Sequence, residues 1–403
     1  METFKFPSGF FWGAATSAHQ VEGANHNDWT EWEESPKRVL ELKTEGLNPE
    51  DYISGRASDH YNRFREDFDI AKDLGHNAHR FSLEWSYIEP KKGKFDQAAI
   101  EHYREVIKAL RERGIEPFLT LWHFTLPIWL RNQGGIQSSQ FPMYFERYVK
   151  KMAEAFGGDV RHWITINEPE IYALNSYLRG KWGPQKKNIF LFYKAIARLI
   201  TAHRKAYQAV KGVRPDAKVG LAVNIVYFES AGGPVNYILK WAADRIWNYH
   251  VLNHTRGHFD FIGLNHYFHN RIHYGFGRNK NKKVSDMGWE IFDGSLYHAL
   301  MGLHRRFNAS IIVTENGLAD AKDNYRPAYI QDNVKSVARA LTKGVNCFGY
   351  LHWSLIDNFE WDSGFSPRFG LVEVNYKTQE RKIRPSALEY KKIIATNTIP
   401  LGD

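Results

Sequence analysis

The chain has 403 residues, of which 43% are hydrophobic, 25% charged and 15% aromatic; this excludes intrinsic disorder, and no apolar run approaches the ~18 residues of a membrane span. Lysine and arginine number 54 against 45 aspartate and glutamate, a net charge of +9, yet the two signs are interspersed rather than drawn into a stripe, which argues against a nucleic-acid partner. What remains is a globular chain with a large core, of a length that one α/β barrel absorbs whole.

The opening METFKFPSGFFWGAATSAHQ has the apolar content of a secretory leader, but Pro7, Gly9 and Trp12 interrupt it, so it is expected to belong to the fold. Strand patterns follow at 10–19, 77–85, 117–124, 163–168, 219–224, 261–267, 311–315 and 348–354. Helical periodicity fills the intervals, at 98–113, 144–156, 190–213 and 328–342, and the first, second and fourth of these end in Gly114, Gly157 and Gly344. A further helix is expected within 234–257. No linker or internal repeat divides the chain. Eight strand–helix units predict a single-domain (β/α)8 TIM barrel over residues 1–403, with chemistry at the C-terminal ends of the strands.

Polar residues collect at those ends: Gln20 and Glu22, Arg80 and Glu84, Trp122 and His123, Asn167 and Glu168, Asn224, Asn265 and Tyr267, Glu315 and Asn316, His352 and Trp353. Core packing alone would place valine and isoleucine there. Glu168 in TINEPE (165–170) and Glu315 in VTENG (313–317) each end an apolar strand. A carboxylate so placed is costly unless it is paired or functional, and a pair at one barrel mouth is what glycosidic bond cleavage requires.

These two motifs, together with SAHQVEG (17–23), TLWHF (120–124), FIGLNHY (261–267), LHWSLIDNFEW (351–361) and SPRFG (366–370), resemble glycoside hydrolase family 1, the β-glucosidase/β-galactosidase family, in the right order over nearly the whole chain. The resemblance implies that Glu168 is the acid/base and Glu315 the nucleophile, that Asn167 donates to the sugar 2-hydroxyl, and that Arg80 and Tyr267 orient the nucleophile. It also implies that Gln20, His123, Glu360 and Trp361 bind sugar hydroxyls, that Trp353 forms the platform under the ring, and that Phe369 belongs to the same wall. Trp122 is expected to add an aromatic face, and Asn265 a polar contact, to the substrate site. Trp163, Trp241 and Trp247 read as core.

In the residues themselves, a cation at Arg80 and a hydroxyl at Tyr267 favour the ionised form of Glu315, while the charge of Glu315 favours the protonated form of Glu168. The histidines at 250 and 254, and at 266, 269 and 273, lack a metal-binding pattern, so no metal is expected, and no phosphate loop or serine elbow appears. The sole cysteine, Cys347, sits in an apolar run, which fits a cytoplasmic location. Two features depart from the family pattern. NHY (265–267) stands for the common NYY, and only about 40 residues separate Asn224 from Asn265, so the loops between the fifth and sixth strands look trimmed and this side of the barrel is expected to be open and mobile.

The sequence thus predicts a retaining exo-β-glycosidase for small unphosphorylated β-glucosides, β-galactosides or β-fucosides, with no cofactor, nucleic-acid or membrane partner. The alternatives are a transglycosylase on the same substrates, separated by product analysis at high acceptor concentration, and a sugar-binding protein without turnover.

Overall fold

In the computed structural model, which describes residues 2–402, eight parallel strands close into a barrel: β1 (Phe11–Ala15), β2 (Ala78–Ser82), β3 (Glu116–Thr120), β4 (His162–Asn167), β5 (Lys218–Asn224), β6 (Phe261–Asn265), β7 (Ile311–Asn316) and β8 (Cys347–Trp353). Each strand pairs with the next, and β8 pairs with β1 in the register Gly349 to Phe11 through Trp353 to Ala15. Almost every strand residue is buried, the condition of a parallel sheet covered on both faces. The lower barrel interior is filled by Ala78, Phe118, Ile164, Ala222, Phe261, Ile312 and Leu351.

After each strand, with shorter helices in several of the intervening loops, one principal helix packs on the outside: α1 (His60–Asp73), α2 (Gln97–Glu112), α3 (Phe141–Phe156), α4 (Ile189–Val213), α5 (Pro234–Ala243), α6 (Ser295–Phe307), α7 (Arg326–Thr342) and α8 (Pro385–Thr396). In α2 the apolar Ile100, Tyr103, Val106, Ile107 and Leu110 all point into the core, and Asp96 accepts from the Ala98 and Ala99 amides to cap the first turn. Gly114 and Gly344 follow their helices in the left-handed region, whereas Gly157 remains right-handed (φ −59°). The thiol of Cys347 is buried at the start of β8 and pushed up to about 12 by that burial.

Two strand ends differ from expectation. The pattern at 10–19 becomes strand only to Ala15 and then a short helix, Ala18–Val21, which carries Gln20 inward. The pattern at 77–85 stops at Ser82 and turns into the helix Trp85–Ile88, capped by the Glu84 side chain, which accepts from the Ser86 amide. The connection from β5 to β6 is short but not bare. Tyr227–Ser230 pairs in parallel with His269–Ile272 to make a small sheet over the mouth, and α5 packs beneath it through Leu239 and Ala243 against Phe228 and Ile272. Trp163 is fully buried and Trp247 packs on that satellite cluster, but Trp241 corrects the core expectation because it lies on the outer face of α5, 60% exposed.

Candidate active site

At the C-terminal mouth a cavity of about 260 Å³ is lined by Gln20, His123, Asn167, Glu168, Tyr267, Glu315, Trp353, Glu360, Trp361 and Phe369, among others. Glu168 follows the last residue of β4 in a left-handed conformation (φ 38°), a costly geometry for a side-chain-bearing residue that tends to mark functional sites. Its amide donates to the Ala222 carbonyl, and its Oε1 accepts from Asn224 Nδ2 (3.1 Å) and Asn265 Nδ2 (2.9 Å). Burial first, and the charge of Glu315 second, push the Glu168 carboxyl up to about 8 against the opposing pull of those two amides.

Glu315 sits in a different environment. Its Oε1 pairs with the Arg80 guanidinium and its Oε2 accepts from the Tyr267 hydroxyl at 2.8 Å. The Tyr267 hydroxyl is held well above its usual range by burial and by the charge of Glu315, so it stays a donor. Arg80 also donates to Thr120 Oγ1 (3.0 Å) and Asn167 Oδ1 (2.6 Å), so one buried guanidinium fixes a residue of β4 and a residue of β7 together. Gly317, just past Glu315, has no room for a side chain: a Cβ there would stand 1.9 Å from the Trp353 carbonyl oxygen. The glycine of the TENG motif therefore lets β7 pass β8 at the rim.

The sugar-sized end of the cavity is polar and aromatic. Glu360 accepts from Gln20 Nε2 (3.1 Å) and Asn358 Nδ2 (2.9 Å), and burial pushes its carboxyl up to about 8, with the Asn358 bond opposing. His123 lies between two indoles, stacked at 6.0 Å on Trp353 and 5.9 Å on Trp361. Burial holds it well below the usual histidine range, and its Nε2 faces Asn167 Nδ2 at 3.1 Å. Phe369 meets Tyr267 edge-on at 6.3 Å.

Two expected contacts lie elsewhere. Trp122 does not line the cavity, because its Nε1 donates to the Thr125 carbonyl and its ring packs edge-on to Tyr172 at 5.0 Å behind the wall. Asn265 is fully buried, and its amide is spent on Asn167, Glu168 and Thr314, so it positions other residues rather than meeting a ligand. Glu22 and Glu84 also turn away, Glu22 to the Tyr103 hydroxyl and Glu84 to its helix cap and Thr125. The outer wall adds residues that the sequence reading missed: Ile171, Leu174, Arg179, Lys181, Phe268, Met287 and Trp289. Ile171, Leu174 and Arg179 sit on the short helices Pro169–Ala173 and Leu174–Arg179 that follow Glu168, the others on rim loops, and none carries a motif.

A parallel barrel with two carboxyls in one cavity, indoles for an apolar ring face and amides for hydroxyls, defines a barrel hydrolase acting on carbohydrate. The family model for glycosyl hydrolase family 1 matches residues 2–255 and 250–399. The chain is 32% identical over 447 residues to a 1,4-beta-D-glucan glucohydrolase of Thermotoga neapolitana, covering 98% of this chain and 99% of that protein. It is 29% identical to a beta-galactosidase of Saccharolobus solfataricus, covering 98% and 96%. The family 1 β-glucosidase structure from Thermotoga maritima superposes with a TM-score of 0.92 at 30% identity, covering 99% of this chain and 100% of that one. The chain belongs to glycosyl hydrolase family 1, and the protein is a β-glycosidase of the β-glucosidase/β-galactosidase type.

Proposed function

We propose that the protein is a retaining exo-β-glycosidase, one barrel domain over residues 1–403 acting in the cytoplasm on small unphosphorylated β-glucosides, β-galactosides or β-fucosides, without a cofactor. The observation that carries this reading is the contrast between two carboxyls in one cavity: Glu168 is protonated by burial among neutral amides, and Glu315 is paired with Arg80. That contrast separates an acid from a nucleophile.

In the first step a Glu315 oxygen bonds to the anomeric carbon, the glycosidic C–O bond breaks, and Glu168 gives its proton to the departing oxygen. The ester neutralises Glu315, so Glu168 loses one of the two influences that kept it protonated. It then takes a proton from water, whose oxygen attacks the anomeric carbon and frees Glu315. Two inversions return the starting configuration. Asn167, fixed by Arg80 and facing His123, is placed to meet the sugar 2-hydroxyl; Gln20, His123, Glu360 and Trp361 meet the other hydroxyls, and Trp353 and Phe369 the ring.

Proton NMR of the first-formed sugar decides the reading. The β-anomer is expected, and the α-anomer appearing first overturns it. Glu315→Gly is expected to abolish hydrolysis, and added azide to restore cleavage of the glycosidic bond by a single displacement of the aglycone, giving an α-glycosyl azide.

A further inference from the structure

The outer face of α5 has no partner in the fold. One side of the helix packs on the satellite cluster of Phe228, Ile272 and Trp247 through Leu239 and Ala243, yet Val235, Tyr237, Ile238 and Trp241 on its other side, and Ile246 in the next turn, are each half or more exposed. A helix apolar all round is ordinarily covered all round. Tyr274 and Phe276, also more than half exposed, extend the same surface: the Tyr274 amide donates to Asn236 of α5 at 2.7 Å, and the Phe276 ring stands 6.2 Å from that of Phe228. Among the described residues, seven of the 17 large exposed apolar side chains fall on this one patch, which is a concentration that scattered surface residues do not produce.

Cations adjoin it. The Arg245 guanidinium lies 4.9 Å over the Trp241 ring and that of Arg278 lies against Gly275 between Tyr274 and Phe276; Lys280, Lys282 and Lys283 continue the same loop, exposed, with Lys283 at its far end within reach of the Asp332 charge on α7. Along the chain from 231 to 284 the only acids are Asp244 and Asp260, each bound to a lysine, Lys240 and Lys211; the next acids, Asp286 and, in space, Asp332, lie at the Lys283 end of the loop. The charge decides between occupants. A second copy of this chain would press like-charged loops together around the apolar centre, whereas an anionic bilayer offers negative headgroups to the rim and an acyl boundary to the indole and isoleucines.

We propose that this face docks reversibly on an anionic lipid bilayer, with Ile238, Trp241 and Tyr274 at the headgroup–acyl boundary and Arg278, Lys280, Lys282 and Lys283 against lipid phosphates. No helix among the described residues is long and apolar enough to cross a membrane, so the contact is peripheral. It revises for this face the sequence expectation of no membrane partner, and it stands independently of the glycosidase reading.

Flotation of the whole protein with phosphatidylcholine vesicles, with and without phosphatidylglycerol, tests it. The protein is expected to float with the anionic vesicles at low salt, to leave them at ~1 M salt where charges are screened within about 3 Å, and not to float with phosphatidylcholine alone. The double variant Ile238→Glu/Trp241→Glu is expected to lower binding at least tenfold, and Lys280→Gln/Lys282→Gln/Lys283→Gln to remove the dependence on phosphatidylglycerol. Unchanged hydrolysis of a small soluble β-glucoside would report that both variants are folded. Absence of flotation, flotation that both variants retain, or a concentration-dependent dimer abolished by Ile238→Glu would each overturn the proposal.

Discussion

At Glu168 two influences raise the carboxyl, and they can be separated because only the smaller is removable by substitution. Replacing Glu315 with glutamine deletes the charge but leaves the burial. The Glu168 carboxyl is therefore expected to fall below its value of about 8 without returning to the ordinary 4.5; carbon NMR of labelled glutamate reads this directly, and an unshifted signal would contradict the coupling. In the wild type the acid form persists up to about 8, so the basic limb of the activity profile belongs near that pH. Glu360 also bears on phosphorylated sugars. As a buried carboxyl held up to about 8 it is largely protonated near neutrality, so a 6-phosphate is refused there mainly for want of a free cation beside it: no lysine lies from 360 to 369, and Arg368 is already paired with Asp357. The kcat/KM ratio of plain to 6-phospho-glucoside is expected to exceed one at pH 7 and to widen above pH 8 as Glu360 ionises. A ratio below one, or one that narrows, would remove Glu360 from that role. The residues of this centre were legible wherever a strand end points them inward. Trp122 and His123 show the limit: they are adjacent and both polar-tipped, yet successive side chains point to opposite sides, so His123 lines the cavity and Trp122 packs behind it against Tyr172.

The eight strands were legible because a strand buried on both faces is a bare apolar run, and their overestimated ends reflect polar residues that continue the pattern while the backbone has already turned into the short helices at Gln20 and Glu84. The small sheet of Tyr227–Ser230 and His269–Ile272 was not legible. Each of its strands has four residues, and what unites them is long-range: His269 is held between Glu290 (2.6 Å) and Glu229 (3.1 Å) and stacked on Phe292 at 3.8 Å. The trimmed connection between β5 and β6 is thus tied to the loop that follows β6, and the tie is flanked by 230–234 in the first, half-buried with two adjacent glycines, and by 275–283 in the second, mostly exposed. Few buried contacts mean a low opening free energy. Amides in those flanks are expected to exchange with deuterium much faster than those at 164–167 and 311–314; equal protection in all four would mean that the flanks are braced. His269→Ala should speed exchange across 227–230 and 269–272 while leaving β4 and β7 unchanged, because it frees both carboxylates at once.

Over the whole molecule, two opposed sets of buried groups set the dependence of stability on pH. Burial holds His76 and His203 down to about 3 and His266 to about 4, with His79, His123 and His352 also well below 6.5. The unfolded chain takes up these protons near 6.5 and the native one does not, so their contribution is complete above 6.5 and is lost as pH falls. Glu168, Glu170 and Glu360 lie at about 8 and Asp28 at about 7, each raised first by burial. Here the native state keeps protons that the unfolded chain has released, so their contribution is complete below the ordinary carboxyl range and is lost as pH rises toward 8. Between about 4.5 and 6.5 the two slopes oppose one another, and outside that interval only one acts. The melting temperature is therefore expected to be nearly flat over that interval, to decline toward pH 8 and to decline again below 4.5. Glu170 isolates the alkaline arm, for it lies beside the site without lining the cavity and its Oε1 accepts from the Asn224 amide at 2.6 Å. Glu170→Gln keeps that acceptor and removes the proton that must be lost. Its denaturant-derived stability should thus fall less steeply between pH 6.5 and 8 than the wild type's, by up to one proton's worth of slope, and parallel curves would show that the alkaline decline has another source.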